Sequence, residues 1–264
     1  MEKNIYLKDY LASRIISFNK TLDSGDYAKM YYRTNEDLVD DYLDTDFKDK
    51  KVLSVQASSD QLFTARYLEA KQVDTFDKNR LTLYYYYLRK WSIEYRHELY
   101  PNILEGNNKW LQELLKEVKP KTEMEQRALL FFRKHIQERT KIRELFFQDE
   151  YQQKGATLFQ SAKDLEDCIT QELRFRHLNL FVPLKELEQY DIVLISNILD
   201  WAKEEENLLK VAANNLSKLV KTGGVILCSN LVHRKKSTLE REREIFSPFF
   251  EKEEKKDTYI YHKK

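Results

Sequence analysis

The stretch KVLSVQASSDQLF, Lys51 to Phe63, followed by VDTFDKN, Val73 to Asn79, decides the fold. Lys51–Val55 is short and apolar and ends in the polar cluster Gln56-Ala57-Ser58-Ser59-Asp60, so it reads as a strand running into a loop. Leu62, Phe63, Tyr67 and Leu68 then fall at helical spacing. Gln72–Phe76 reads as a second strand that ends at Asp77. Leu81, Tyr84, Leu88, Trp91 and Tyr95 repeat every three to four positions, which predicts the next helix. Strand, helix, strand and helix within about 45 residues is the signature of a parallel sheet.

Working outward, the first 48 residues (1–48) read as N-terminal helices. Leu11, Ile15, Ile16 and Phe18 share a face, and Thr34-Asn35-Glu36-Asp37 has the pattern of a capping box. Residues 92–155 read as a helical insertion: Leu111, Leu114 and Leu115, then Leu129, Phe132, Ile136, Ile142 and Phe146, give helix after helix with no strand. Ser161-Ala162-Lys163-Asp164 is expected to cap another helix, with Leu165, Cys168, Ile169 and Leu173 on one face. Strands are expected again at Arg174–Leu180, Tyr190–Asn197 and Val225–Ser229. The run from Tyr190 to Ile195 is nearly all apolar, as a strand buried on both faces should be. A helix from Glu205 to Val220 is expected to stop at Gly223-Gly224, as helix C-termini do. A last helix starts near Ser237, and Phe249–His262 suits an antiparallel hairpin at a sheet edge. The whole chain, 1–264, is expected to form one α/β domain: a mostly parallel sheet with a C-terminal antiparallel hairpin and a helical insertion. That order matches the Rossmann-like class I methyltransferase architecture.

Composition removes several function classes. Lys and Arg number 45 against 44 Asp and Glu, for a net charge of +1, so no field draws a phosphate backbone and no nucleic-acid partner is expected. The two cysteines, Cys168 and Cys228, form no CxxC pair, and the five histidines show no HExxH spacing, so no metal site is expected. Isolated cysteines suit a reducing compartment. No stretch approaches the roughly 18 apolar residues of a membrane span, and the N-terminus has no apolar signal core. A cytoplasmic protein, at most peripheral to a membrane, is the expectation.

In open α/β sheets, ligands lie at the carboxyl ends of the strands near the switch point. The loop after the first strand has no glycine, although a pyrophosphate requires close backbone approach there. Ser58, Ser59 and Asp60 stand instead, preceded by Gln56; small hydroxyl residues allow close approach, and a carboxylate suits an ammonium and repels a phosphate. The same three residues also have the composition of a helix cap. Asp77 follows Ser58 by 19 positions, the spacing at which an acidic residue accepts bonds from ribose hydroxyls; it also suits a cap for the helix after Lys78. Asn179 and Leu180 end the third strand and Ser196-Asn197 the fourth, which places them near an adenine and a reacting group respectively, or leaves Asn197 a helix cap. These features favour S-adenosylmethionine as cofactor over a dinucleotide.

At VLSVQASSDQLF, VDTFDKN and YDIVLISNILDW (Tyr190–Trp201) the chain resembles bacterial relatives of S-adenosylmethionine:diacylglycerol 3-amino-3-carboxypropyl transferase. The matching positions are Ser58-Ser59-Asp60, Asp77-Lys78-Asn79, the helical segment and Ser196-Asn197, and TNEDL (Thr34–Leu38) resembles that family's N-terminal element. Where the family has glycine, this chain has Ser59. The resemblance implies a transferase that uses S-adenosylmethionine to move a methyl or 3-amino-3-carboxypropyl group onto a small-molecule or lipid acceptor. The alternative is a catalytically inactive binding or assembly module on the same fold, motivated by the glycine-free loop.

Overall fold

The computed structural model describes residues 38–100, 108–137, 159, 161–185, 188–202, 205–229, 236–255 and 258–264. The expected helix at Leu11–Phe18, the capping box at Thr34 and the part of the helical segment beyond Gln137 and before Phe159 lie outside them.

Among the described residues the elements run α1 (Leu38–Tyr42), β1 (Lys51–Val55), α2 (Asp60–Tyr67), β2 (Gln72–Asp77), α3 (Leu81–Tyr95), α4 (Asn108–Glu117) and α5 (Glu123–Gln137). They continue with β3 (Arg174–His177), β4 (Tyr190–Leu194), α6 (Glu206–Leu219), β5 (Val220–Ser229), α7 (Lys236–Phe246), β6 (Phe250–Glu254) and β7 (Thr258–Lys263). Two short 3-10 turns, Lys163–Leu165 and Asp167–Ile169, stand where one longer helix is expected after Ser161.

Seven strands form one sheet in the order β3-β2-β1-β4-β5-β7-β6. The first five are parallel, while β7 runs antiparallel to β5, and β6 antiparallel to β7. The chain builds outward from β1 to β3, then returns to lay β4 against the other side of β1. That reversal is the switch point, and it opens a crevice above the carboxyl ends of β1 and β4. The architecture is the expected Rossmann-like α/β fold, a mostly parallel sheet with antiparallel C-terminal strands.

Alternation along the central strands divides the core. Leu53 of β1 and Val193 of β4 face a cluster with Leu209, Ala213 and Leu216 of α6 and Phe246 of α7. Val52, Ile192 and Leu194 face the opposite cluster, with Leu62 and Phe63 of α2. Burying each such aliphatic chain contributes about 1.5–3 kcal/mol. A third cluster joins Leu81, Tyr85, Leu88 and Trp91 of α3 to Leu111, Leu114 and Leu115 of α4 and Leu129 and Phe132 of α5. Between β2 and β3 no strand lies among the described residues, and α4 and α5 add a layer beyond α3. Of the tyrosine run, Tyr84, Tyr85 and Tyr86 are buried and Tyr87 is partly so.

Three boundaries differ from expectation. The ladder of β3 ends at His177 and that of β4 at Leu194, short of Leu180 and Asn197. Beyond Leu194 the chain stays bonded to β5 through the Ile195 N–H and the Ser196 carbonyl, and it turns at Ser196, whose φ is a left-handed 52°. The pair Gly223-Gly224 does not end α6, which stops at Leu219; both glycines lie inside β5, beside a register shift between Tyr190 and Ile192. Gly224 is there because a Cβ would meet the Asp191 carbonyl at 2.7 Å.

Candidate functional site

The bend after β1 is built from polar residues that hold one another. Gln56 N–H donates to the Phe76 carbonyl at 2.7 Å, and Ser59 N–H to the Gln56 carbonyl at 2.6 Å. The chain then makes two left-handed steps, with φ of 33° at Ala57 and 73° at Ser59. Such steps cost a residue with a Cβ roughly 1–2 kcal/mol, so side chains and neighbours must stabilise them. Gln56 Nε2 donates to Ser59 Oγ at 2.5 Å, and Ser58 Oγ donates to Asp60 Oδ2 at 2.8 Å. Ser59 occupies the N-cap position of α2 but makes no side-chain cap bond.

Asp77 closes β2 and faces this bend. Its Oδ2 accepts from Ala57 N–H at 3.1 Å and its Oδ1 from Asn79 N–H at 2.7 Å. The side chain is partly buried, and burial pushes its pKa up to about 6, with the two peptide N–H groups opposing the rise. A carboxylate has about four lone-pair sites. Two backbone donors leave Asp77 with acceptor capacity at the strand ends.

Asp60 is differently placed from the expectation that it greets an ammonium. Asp60 is 2% exposed, and its Oδ1 lies 2.8 Å from the guanidinium of Arg89 on α3. Arg89 also donates to the Ser58 carbonyl and the Tyr100 hydroxyl. Burial works against the charge on Arg89, yet Asp60 holds its pKa above the ordinary arginine value. Gln56, Ser58 and Ser59 are equally enclosed, and among the described residues Gln56 Oε1 has no hydrogen-bond partner.

The remaining candidates ring the same end of the sheet. Lys78 is exposed, and its carbonyl lies 2.9 Å from His177 Nε2. Asn179 is exposed and its Oδ1 accepts from Phe181 N–H, while Leu180 is a core residue whose carbonyl accepts from Asn215 Nδ2. Ser196 is buried with its carbonyl bonded to Ser229 N–H; Asn197 is half-exposed, its Oδ1 3.4 Å from Ser196 Oγ. The structure thus brings Gln56, Ser58, Ser59 and Asp60 together on one bend, whose Ala57 N–H is received by Asp77. Asn179, Leu180, Ser196 and Asn197 lie on the loops after β3 and β4. Sequence reasoning missed Arg89 and Tyr100. The one available signal was an arginine directly after Leu88 in a helix of tyrosines, where a cation interrupts the apolar stripe.

Among the described residues no group of three or more His, Cys, Asp or Glu could hold a metal ion, and no helix is long and apolar enough to cross a membrane.

No protein-family profile matches the chain, and no curated protein matches it in sequence. It is similar in structure to a TehB-like SAM-dependent methyltransferase from Corynebacterium glutamicum, at 10% identity over 99% of this chain and 100% of that one, with a TM-score of 0.42. A methyltransferase from Pyrococcus furiosus is similar at 10% identity over 97% of each chain, TM-score 0.41. The N-methyltransferase NodS from Bradyrhizobium japonicum is similar at 10% identity over 86% of this chain and 92% of that chain, TM-score 0.37. Likeness this distant assigns neither reaction nor acceptor.

Proposed function

We propose that the chain is an S-adenosylmethionine-dependent transferase, moving a methyl or a 3-amino-3-carboxypropyl group onto a small-molecule or lipid acceptor. The observation that carries this reading is Asp77: a partly buried carboxylate at the end of β2, held by two backbone donors, one of them in the bend after β1, with acceptor capacity left toward a ribose. The adenosine half of the cofactor fits this end of the sheet, with Lys78, Asn179 and Leu180 bordering the base and Ser196 and Asn197 bordering the reacting region. The amino-acid half lies against the outer side of the Gln56–Ser59 bend, behind which Gln56 Oε1 is buried without a hydrogen-bond partner among the described residues. Asp60 shapes that wall from behind, through Arg89, rather than touching the ligand.

When bound, the sulfonium supplies a carbon already activated for displacement. The residues are left to bind, orient and exclude water, and well-oriented reactants gain roughly 7–11 kcal/mol from positioning. This is consistent with a site built from binding groups instead of a nucleophile and its base.

Calorimetry with S-adenosylhomocysteine tests the reading: micromolar binding by the wild type and at least tenfold weaker binding by Asp77→Ala are expected. No heat at millimolar ligand would end it. Product analysis then separates the two transfers, since methyl transfer leaves S-adenosylhomocysteine and aminocarboxypropyl transfer leaves methylthioadenosine. A second reading, a catalytically inactive binding or assembly module, is favoured by the enclosed bend: Gln56, Ser58, Ser59 and Asp60 already use much of their polarity on one another and on Arg89.

A further inference from the structure

Arg89 reaches from the third turn of α3 into the bend after β1. Its guanidinium takes the Ser58 carbonyl, the Asp60 carboxylate and the Tyr100 hydroxyl, and it lies 5.0 Å from the ring centre of Phe63 and 5.1 Å from that of Tyr100. Withdrawing a cation from water costs several kcal/mol unless it is paired and bonded. Here the partners are one peptide carbonyl and one carboxylate of the same short bend. That bend holds two residues with a Cβ, Ala57 and Ser59, at left-handed φ. Glycine would adopt this shape without strain; these residues require an external hold. The Ala57 N–H that the bend presents is the one received by Asp77.

We propose that Arg89 is a positioning residue: it locks Ser58 and Asp60 so that the glycine-free bend keeps its strained shape and stays docked on Asp77. The ligand consequence rests on the nucleoside reading above; the effect on the bend does not. Arg89 contacts no ligand in this scheme. It acts through Ser58 and Asp60, as a planar fork with several donors and not as a point charge.

The test is amide hydrogen exchange on the full chain, read beside S-adenosylhomocysteine titration. In Arg89→Met, the factor by which the Ala57 and Ser59 amides exchange faster should be at least ten times any rise in β4 and β5, which report the global loss of stability. Arg89→Lys, which keeps the charge but loses the fork, should restore less than half of the protection. Where the wild type binds the nucleoside, Arg89→Met should weaken it at least tenfold. Unchanged exchange at the bend, a uniform rise across the sheet, or a loosened bend with unchanged affinity would each overturn the proposal. Should Arg89→Met not fold, Arg89→Lys and Asp60→Asn carry the same comparison. A wild type that takes up no nucleoside ends the transferase reading alone, and the exchange data still decide the role of Arg89.

Discussion

The Ala57 peptide nitrogen lies 3.1 Å from Asp77 Oδ2, so the bend after β1 is fastened to the end of β2 by a carboxylate. The residue proposed to bind ribose is therefore also a structural tie. Its protonation state should be felt in both roles.

For stability the sign runs against the usual aspartate. Burial raises the folded pKa to about 6 from 3.8, so the folded state holds the proton more tightly than the unfolded state. The contribution of Asp77 is fullest below pH 4 and is lost as pH rises through 6, by roughly 3 kcal/mol at most. Urea unfolding of wild type and Asp77→Asn at pH 4.5, 6 and 7.5 should show the wild type losing ground to the variant as pH rises. A constant difference would place the Asp77 pKa at its unfolded value.

For the proposed binding the direction reverses, because ribose hydroxyls would donate to the ionised carboxylate. The affinity for S-adenosylhomocysteine should climb as pH passes through about 6 and then level off. Asp77→Asn should bind weakly with no inflection there. Titration calorimetry from pH 5 to 8 reads both curves.

The buried pair Asp60–Arg89 predicts strong non-additivity. Removing either partner strands the other charge, at a cost of about 3–5 kcal/mol. Asp60→Ala and Arg89→Met should each destabilise by that order, and the double variant by much less than their sum. Chemical denaturation of all four proteins closes the cycle, and additive losses would contradict the pairing.

Ser59 separates strain from bonding. Ser59→Gly relieves the left-handed φ of 73° but loses the bond from Gln56 Nε2, whereas Ser59→Ala loses the bond and keeps the strain. The glycine variant should be more stable than the alanine variant by about 1 kcal/mol. Thermal midpoints of the two rank them directly.

Gly224 tests close packing at the other end of the sheet. A Cβ there meets the Asp191 carbonyl at 2.7 Å and Val220 Cγ1 at 2.9 Å. Gly224→Ala should cost about 1–3 kcal/mol, while its neighbour Gly223 has open space around it but a φ of 75°. Equal stability of Gly224→Ala and wild type would argue against this contact.

The fold was legible because its central strands state themselves. Lys51–Val55 is apolar, five residues long and bounded by polar groups, and the structure gives it those ends. Strand ends set by long-range contact were less legible. Nothing in the ISN sequence reveals that Ser196 turns to a positive φ. Gly223-Gly224 carries the local signature of a helix stop, but the proximity of the Asp191 backbone, over thirty positions earlier, decides its use. At the site, the carboxylates were legible and their partners were not. Asp60 reads as a free acid until α3 brings Arg89 beside it, and one arginine in a chain that is 34% charged reads as surface.

Helix α3 serves two masters. One side sends Arg89 into the bend, and the other seats Leu81, Leu88 and Trp91 among the side chains of α4 and α5. A shift or roll of this helix, forced by anything pressing on the outer helical layer, would drag the guanidinium away from Ser58 and slacken the strand-end crevice. The outer layer and the carboxyl ends of the central strands thus share a single rigid axle.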